Sequence, residues 1–339
     1  MEIGKFDIKI TAQFIENESN QKNIEIGIKT VIASIISELK DKLILENLEL
    51  VYVPNEYHQE LHNFQREHGL NEYSTRNELS EGLAQMITYK IEDKEKHCVF
   101  FDKRLALALG LYFVRDQFSE DTTDLYNDSV HYFIHELAHI NELEVHKITG
   151  FTSDEHSDKT PRIFNGLARD LWREYYANRL SSEIFKVNNP IIGKILDDWA
   201  KVEKKVLIFR KSYNFREMSL DEFQERTYNH LRFVLIQFIY YISILDAENS
   251  EYSIQSLIEL NHCYSLKLFQ IWESLNQELK HLYNGFGKWD KNENYLNIES
   301  ILVEYFTLFG IKYRIVNEGI YIDVPYDELL YKDIEYDKQ

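Results

Sequence analysis

The spacing of apolar positions predicts alternating helices and strands in the first part of the chain. From Ile24 to Leu45 apolar residues recur every three or four positions, which is the period of an amphipathic helix. Leu48–Val53 is a β-rich run closed by Pro54 and Asn55, which indicates a strand. Helices are also predicted at Glu56–His68 and Leu105–Phe118, and strands at Ile8–Ile15, Ala84–Glu92 and His97–Asp102. This order predicts a mixed α+β layer architecture.

Two longer helices are predicted in the middle of the chain. Val130–His146 contains no Pro or Gly and offers apolar residues for burial, and Asp124 or Asp128 is expected to cap its start. Arg162–Lys186 has apolar residues at helical spacing and is followed by Asn and Pro residues that end it. A loop rich in Gly, Thr, Ser and Asp, Thr149–Pro161, separates the two helices.

The first of these helices carries His135-Glu136-Leu137-Ala138-His139, an HExxH pattern. Residues four apart lie on one face of a helix, so His135 and His139 can direct two imidazole nitrogens at the same ion. Glu136 can reach the open side of that ion without ligating it. There it can take a proton from water that the metal acidifies. The alternative is a chance match to the pattern on an amphipathic helix.

A third ligand is expected on another element, because catalytic zinc usually has three protein ligands and one open position. Glu174, on the second long helix, is the best candidate. Asn178 shares its face and is expected to accept the outer N–H of a ligating histidine. The alternative for Glu174 is a solvated helix carboxylate, the usual fate of a glutamate. Weaker candidates are Glu142 on the first helix and Asp154 or Asp158 in the loop, while His146 is interpreted as incidental.

The two segments HELAH and EYYANRLSSEIF together resemble the gluzincin arrangement, and specifically the ImmA/IrrE-type bacterial metallopeptidases. Those pair an HExxH helix with a later helix of the form E-x-x-A-N-x-x-A. The resemblance covers about Leu48–Lys186 and implies a minimal zincin fold. It implies that His135, His139 and Glu174 ligate zinc and that Glu136 is the base. It also implies intracellular action on regulatory proteins such as repressors. The chain adds a C-terminal half that the minimal family lacks.

The half of the chain from Ile191 onward is predicted to be mainly helical. Ser219-Leu220-Asp221-Glu222 is a capping box that opens a long helix through to Leu245. Its Leu231–Leu245 part is strongly apolar, but it is shorter than the roughly 20 residues that a membrane span needs, so a buried core helix is expected. Further helices are predicted at Lys201–Arg210, Ser253–Leu282 and Tyr295–Phe309, and a β-hairpin at Ile311–Val316 and Ile320–Val324.

Composition restricts the partners and the metal ligands. The 38 Lys and Arg residues against 57 Asp and Glu residues give a formal charge of -19, which disfavours binding to nucleic-acid phosphates. The two cysteines, Cys98 and Cys263, lie far apart in sequence, so a disulfide framework is not expected and zinc must be held by His and carboxylate. The N-terminal residues show no secretory signal pattern, and a cytoplasmic location is expected.

The sequence thus predicts an α+β protein with a zincin-like metallopeptidase domain at residues 1–189 and a mainly helical domain at residues 190–339. The second domain is expected to be a scaffold, or to select the substrate or regulate access to it. The expected activity is Zn²⁺-dependent hydrolysis of peptide bonds in a protein or peptide, without membrane or nucleic-acid partners. The alternative is a non-catalytic metal-binding or protein-interaction module. The oxyanion donor stays open among Tyr175, Tyr176, His156, Tyr228 and His230.

Overall fold

The chain divides into two compact units, and one helix contributes to both. The structure, a computed structural model, describes residues 6–72, 82–110, 120–151, 163–187, 192–248, 266–289, 295–316 and 319–326. The first unit comprises Met1–Ile148 and Tyr176–Asn188, and the second comprises Thr149–Tyr175 and Asn189–Gln339. Residues 149–175, which the sequence-based division puts in the first domain, therefore belong to the second compact unit.

The first unit contains the small mixed sheet that the sequence predicts. Its elements are β1 (Asp7–Ile10), α1 (Glu18–Leu39), β2 (Leu48–Val53), α2 (Tyr57–Glu67), β3 (Ala84–Ile91), β4 (Lys94–Phe101), α3 (Lys103–Gly110) and α4 (Glu120–Thr149), with the later half of α5 (Asn165–Ile184). The strand order is β1-β2-β4-β3. The β1–β2 and β2–β4 pairs are parallel, whereas β3 is antiparallel to β4 and forms an edge of the sheet.

Alternation along β2 and β4 gives this sheet two buried faces. Val51 and Val99 lie in a core cluster with residues of α1 and α4, among them Ile32 and Phe133. Tyr52, Leu61, Phe64, Cys98 and Phe100 belong to a second cluster, formed with α2. Helix α4 therefore packs against the sheet through its apolar side. This packing also fixes the orientation of the side of the helix that carries the histidines.

Several predicted boundaries in this unit are wrong: β1 ends at Ile10 and not at Ile15, and α1 spans Glu18–Leu39 and not Ile24–Leu45. Strand β4 begins at Lys94 and not at His97, because Glu92 and Asp93 both have positive φ and form a tight turn that lets pairing continue to Lys94. Helix α4 begins at Glu120, so Asp124 and Asp128 lie inside the helix and do not cap it. The segment from Glu120 to Thr149 contains no Pro or Gly, and its polar residues do not stop the helix.

A buried carboxylate on α4 ties this helix to the sheet. Glu144 is 5% exposed, and its Oε1 lies 2.8 Å from Nε2 of His97 on β4. Asn47 and Lys147 donate to the same carboxylate at 2.9 and 2.7 Å. Burial alone would raise the pKa of Glu144, but the hydrogen bonds from His97, Lys147 and Asn47 outweigh it and hold the pKa at about 2. The ionised form is therefore favoured by folding.

Acid is expected to weaken the first unit through Glu144. Its folded pKa of about 2 lies below its usual value of 4.5, so its stabilising contribution is present above pH 4.5 and is lost as the pH falls toward 2. We expect this contribution to be roughly 2 kcal/mol, since Lys147 is partly exposed and screened by solvent. Urea unfolding at several pH values between 6 and 2.5 measures it. Glu144→Gln should flatten the fall, and an unchanged slope in that variant would contradict the assignment.

The second unit is mainly helical and ends in a hairpin among the described residues, as the sequence predicts. It contains the first part of α5, then α6 (Ile192–Asn214), α7 (Leu220–Ala247), α8 (Leu266–Gly285), α9 (Leu296–Leu308), β5 (Lys312–Val316) and β6 (Gly319–Asp323). The Ser219 hydroxyl accepts from the Glu222 N–H at 3.2 Å, which confirms the predicted cap of α7. Aromatic rings fill the core, and Phe238 stacks on Trp272 with centroids 4.3 Å apart.

Helix α7 is long and apolar enough to cross a membrane by length and composition alone. However, 67% of its most apolar 18-residue window is buried inside the protein. The fully buried residues of this window include Val234, Phe238 and Ile242. This burial fits the core helix of a soluble protein, as predicted from the length of the apolar run.

Candidate metal centre

Two histidines on α4 converge on one point. His135 and His139 are 7% and 6% exposed, and their rings stand at 88° to each other. Their Nε2 atoms lie 3.1 Å apart. An ion placed 2.0–2.1 Å from both nitrogens would subtend an angle of roughly 100° between them, close to tetrahedral. The pair is therefore spaced to share one ion through Nε2.

Glu174 on α5 completes a group of three candidate ligands. One ligand atom each from His135, His139 and Glu174 all lie within 4.8 Å of one another. Within the described ranges, this is the one cluster of three His, Cys, Asp or Glu residues with such spacing. Two imidazole nitrogens and one carboxylate oxygen form a donor set that suits zinc. The group can hold a metal ion.

The continuity of α5 explains how Glu174 reaches the histidines. Helix α5 runs unbroken from Asn165 to Ile184, so the backbone at Glu174 is fixed relative to the helix residues that follow it. Two of those residues bond to α4. The Tyr176 hydroxyl accepts from Nδ2 of Asn141 at 2.6 Å, and Oδ1 of Asn178 lies 2.9 Å from Nε2 of His131. These contacts hold one face of α5 against α4.

Glu136 is bonded to the edge of the sheet. It is 7% exposed, and its Oε2 accepts a hydrogen bond of 2.6 Å from the backbone N–H of Met86 on β3. Glu136 follows His135 directly, so the helix points it away from the face that the histidines share. The carboxylate is thereby fixed at β3, one residue along the helix from His135.

Asn178 lies where the sequence suggests, but its bond goes to a histidine that sequence reasoning missed. His131 is one turn before His135 on α4, and its Nε2 contacts both Asn178 and the Ser181 hydroxyl, the latter at 3.3 Å. Burial lowers the pKa of His131 to about 4, with Asn178 opposing the shift and His135 adding to it. This ring is therefore neutral at pH 7. The sequence does contain a signal for His131, because it precedes His135 by the same four residues that separate His135 from His139.

The other candidate ligands do not join the group of three. Nε2 of His146 lies 3.7 Å from Oε1 of Glu142, one turn earlier on the same helix. Neither residue has a ligand atom in the cluster. Asp154 and Asp158 lie outside the described residues.

Three of the oxyanion candidates are held in other hydrogen bonds. The Tyr175 hydroxyl donates to Asp246 at 2.7 Å, and the Tyr176 hydroxyl is bonded to Asn141. Nδ1 of His230 lies 2.8 Å from the carbonyl oxygen of Arg226, and His156 lies outside the described residues. Tyr57 is not among the oxyanion candidates predicted from the sequence. Its hydroxyl is buried without a hydrogen-bond partner in the described chain, and burial together with the charge of Glu136 raises its pKa.

Comparison with protein-family models, with curated proteins and with solved structures gave no match to this chain. The function is therefore inferred from the geometry of the candidate metal centre.

Proposed function

We propose that this protein is a zinc-dependent endopeptidase of the gluzincin type, in which His135, His139 and Glu174 hold the ion. The observation that carries the proposal is the convergence of these three side chains, with Glu136 directly after the first histidine in the sequence. A 2-His-1-carboxylate set also suits non-haem iron, but a carboxylate placed directly after the first histidine favours hydrolysis. The convergence of the three side chains supports the resemblance to ImmA/IrrE-type metallopeptidases, whereas the spacer between His139 and Glu174 is longer than is usual in that family.

The chemistry assigned to the chain's own residues is acid–base catalysis. A bound zinc ion would acidify a water molecule and polarise the substrate carbonyl. Glu136 takes the proton from that water during attack on the peptide carbonyl and passes it to the departing amide nitrogen. The bond from the Met86 N–H keeps the Glu136 carboxylate oriented before substrate arrives, so the orientation does not have to be established during the reaction.

The edge position of β3 supports a peptide as the substrate. In the described part of the sheet β3 has one neighbour, β4, and its other side is an edge. Met86, which bonds to Glu136, belongs to this strand. An extended peptide that pairs with such an edge presents successive carbonyl groups along it, and one of them would reach the carboxylate. We assign the cytoplasm as the location and a protein, not nucleic acid, as the target, in accord with the charge of -19.

Zinc binding tests the ligand assignment directly. The protein, stripped of metal and titrated with Zn²⁺, is expected to bind one equivalent. His139→Ala should bind zinc at least about 100-fold more weakly, because loss of outer partners alone costs 10- to 100-fold. His146→Ala, on the same helix but outside the cluster, is the matched control and should retain zinc. Elemental analysis and competition with a chromophoric chelator provide the measurement.

Cleavage of unfolded β-casein tests the activity. We expect fragments to appear with the zinc-loaded protein and to disappear after metal removal by a chelator, with recovery when zinc is added back. Stoichiometric zinc without any cleavage would instead favour the non-catalytic metal-binding module. Absence of bound zinc in the wild-type protein would contradict both functions.

A further inference from the structure

Helix α7 contacts the third candidate ligand through a tyrosine. The hydroxyl of Tyr240 donates a hydrogen bond of 2.8 Å to Oε2 of Glu174. Tyr240 lies 66 residues after Glu174, and no spacing in the sequence connects the two. A hydroxyl that donates to one carboxylate oxygen favours the ionised carboxylate and restricts its rotation. These are the two conditions under which a carboxylate serves as a metal ligand.

The residue next to Glu174 is held by the same helix. The Tyr175 hydroxyl donates to Oδ2 of Asp246 at 2.7 Å, and Asp246 is 6% exposed. Nζ of Lys280 on α8 lies 2.8 Å from the other oxygen of Asp246 and pairs with its charge. Two consecutive residues of α5 are thus attached to two positions of α7. This double attachment fixes the part of α5 that carries Glu174 against α7. The Tyr240 hydroxyl therefore has a fixed position relative to the Glu174 carboxylate.

We propose that Tyr240 is a positioning residue of the metal centre, which orients the Glu174 carboxylate for the ion. The C-terminal helical region would then contribute to metal affinity and would not serve only as a scaffold. The inference rests on the metal site of the proposed function but not on peptide hydrolysis. Metal-ligating carboxylates are commonly held by outer hydrogen bonds, and losing such a partner typically weakens metal binding 10- to 100-fold.

Tyr240→Phe removes the hydroxyl and leaves the ring in place. We expect its dissociation constant for Zn²⁺, measured by chelator competition on the full chain, to rise 10- to 100-fold. Tyr241→Phe is the matched control, because Tyr241 is the adjacent residue of α7 and is 8% exposed. It should change the affinity less than threefold. Cobalt substitution gives a second readout, since Tyr240→Phe should alter the visible absorption bands of bound Co²⁺ and Tyr241→Phe should not.

A double-mutant cycle separates positioning from a general structural effect. If Tyr240 acts through Glu174, Tyr240→Phe should have no further effect on zinc affinity in a Glu174→Ala background, where the two histidines remain. An undiminished effect in that background would overturn the inference, because the hydroxyl would then act by another route.

Three further outcomes would also overturn it. Equal zinc affinity in Tyr240→Phe and Tyr241→Phe would remove the positioning role while leaving the proposed peptidase intact. Unchanged zinc affinity with a large loss of β-casein cleavage in Tyr240→Phe would show that the hydroxyl acts on the substrate instead. Failure of the wild-type protein to bind zinc would overturn the proposed function together with this inference. Each result therefore identifies which of the two proposals fails.

Discussion

Replacing Glu136 with glutamine is expected to slow hydrolysis of β-casein by about 10²- to 10⁴-fold, the usual contribution of a general base, while the protein keeps its zinc. Glutamine has nearly the same shape and can still accept the hydrogen bond from the Met86 N–H, so the fold around it should persist. It cannot accept a proton from water. The rate of fragment formation and the zinc content of the same preparation are the two measurements.

Glu183→Gln is the control for this substitution. Glu183 lies on α5, two turns beyond Glu174, and pairs with Arg179 at 3.1 Å, away from the candidate ligands. Its replacement should leave both cleavage and zinc content unchanged. If Glu136→Gln binds zinc and cleaves at the wild-type rate, Glu136 is not the base, and the assignment of the metal centre as a hydrolase is wrong.

Local patterns in the sequence were sufficient to find several elements of the fold and the candidate ligands on α4 and α5. Strand β2 has the predicted ends, Leu48 and Val53, because a β-rich run is followed by proline. The capping box at Ser219 starts α7 as predicted, because its hydrogen bond is local. The intervals of four between candidate ligands follow from helix geometry alone. Where a feature depends on residues close in sequence, its prediction needed no knowledge of the fold.

Contacts between distant residues could not be predicted in this way. Asn178 bonds to His131, and Glu174 accepts from Tyr240 on a helix far along the chain. No partner for the Glu174 carboxylate was predicted from the sequence, since no spacing connects it with Tyr240. The assignment of residues 149–175 to the second unit is of the same kind, because it depends on packing and not on local composition. The candidate carboxylate ligand was predicted from its motif, but its surroundings were not.

Gly310→Ala is expected to lower the free energy of unfolding by about 3 to 4 kcal/mol, the largest stability effect predicted for a single methyl group in this chain. Gly310 ends α9 with φ +72°, and its N–H donates to the Thr307 carbonyl at 2.9 Å. An L-residue in this left-handed conformation costs about 1–2 kcal/mol. In addition, a Cβ here would lie 2.3 Å from Nη1 of Arg210, and such overpacking typically costs about 1–3 kcal/mol.

Arg210 cannot easily move away from the added methyl group. Its side chain is 4% exposed, and its guanidinium donates to the carbonyl oxygens of Phe309 and Pro325 at 3.3 and 2.6 Å. Moving it would break these bonds and leave a buried charge without its acceptors, which is costly. Because both acceptors lie close to the hairpin, we expect the damage to extend to β5 and β6.

Gly69 provides a matched control with the same backbone motif. It follows α2 with φ +66°, and its N–H donates to the Arg66 carbonyl, but nothing lies within 4 Å of the position of an added Cβ. Gly69→Ala should therefore cost only the backbone strain, about 1–2 kcal/mol. Urea unfolding of both variants measures the difference, which isolates the collision with Arg210. If the two substitutions destabilise the protein equally, the guanidinium of Arg210 can shift away from the added methyl group. The predicted collision with Arg210 would then be wrong.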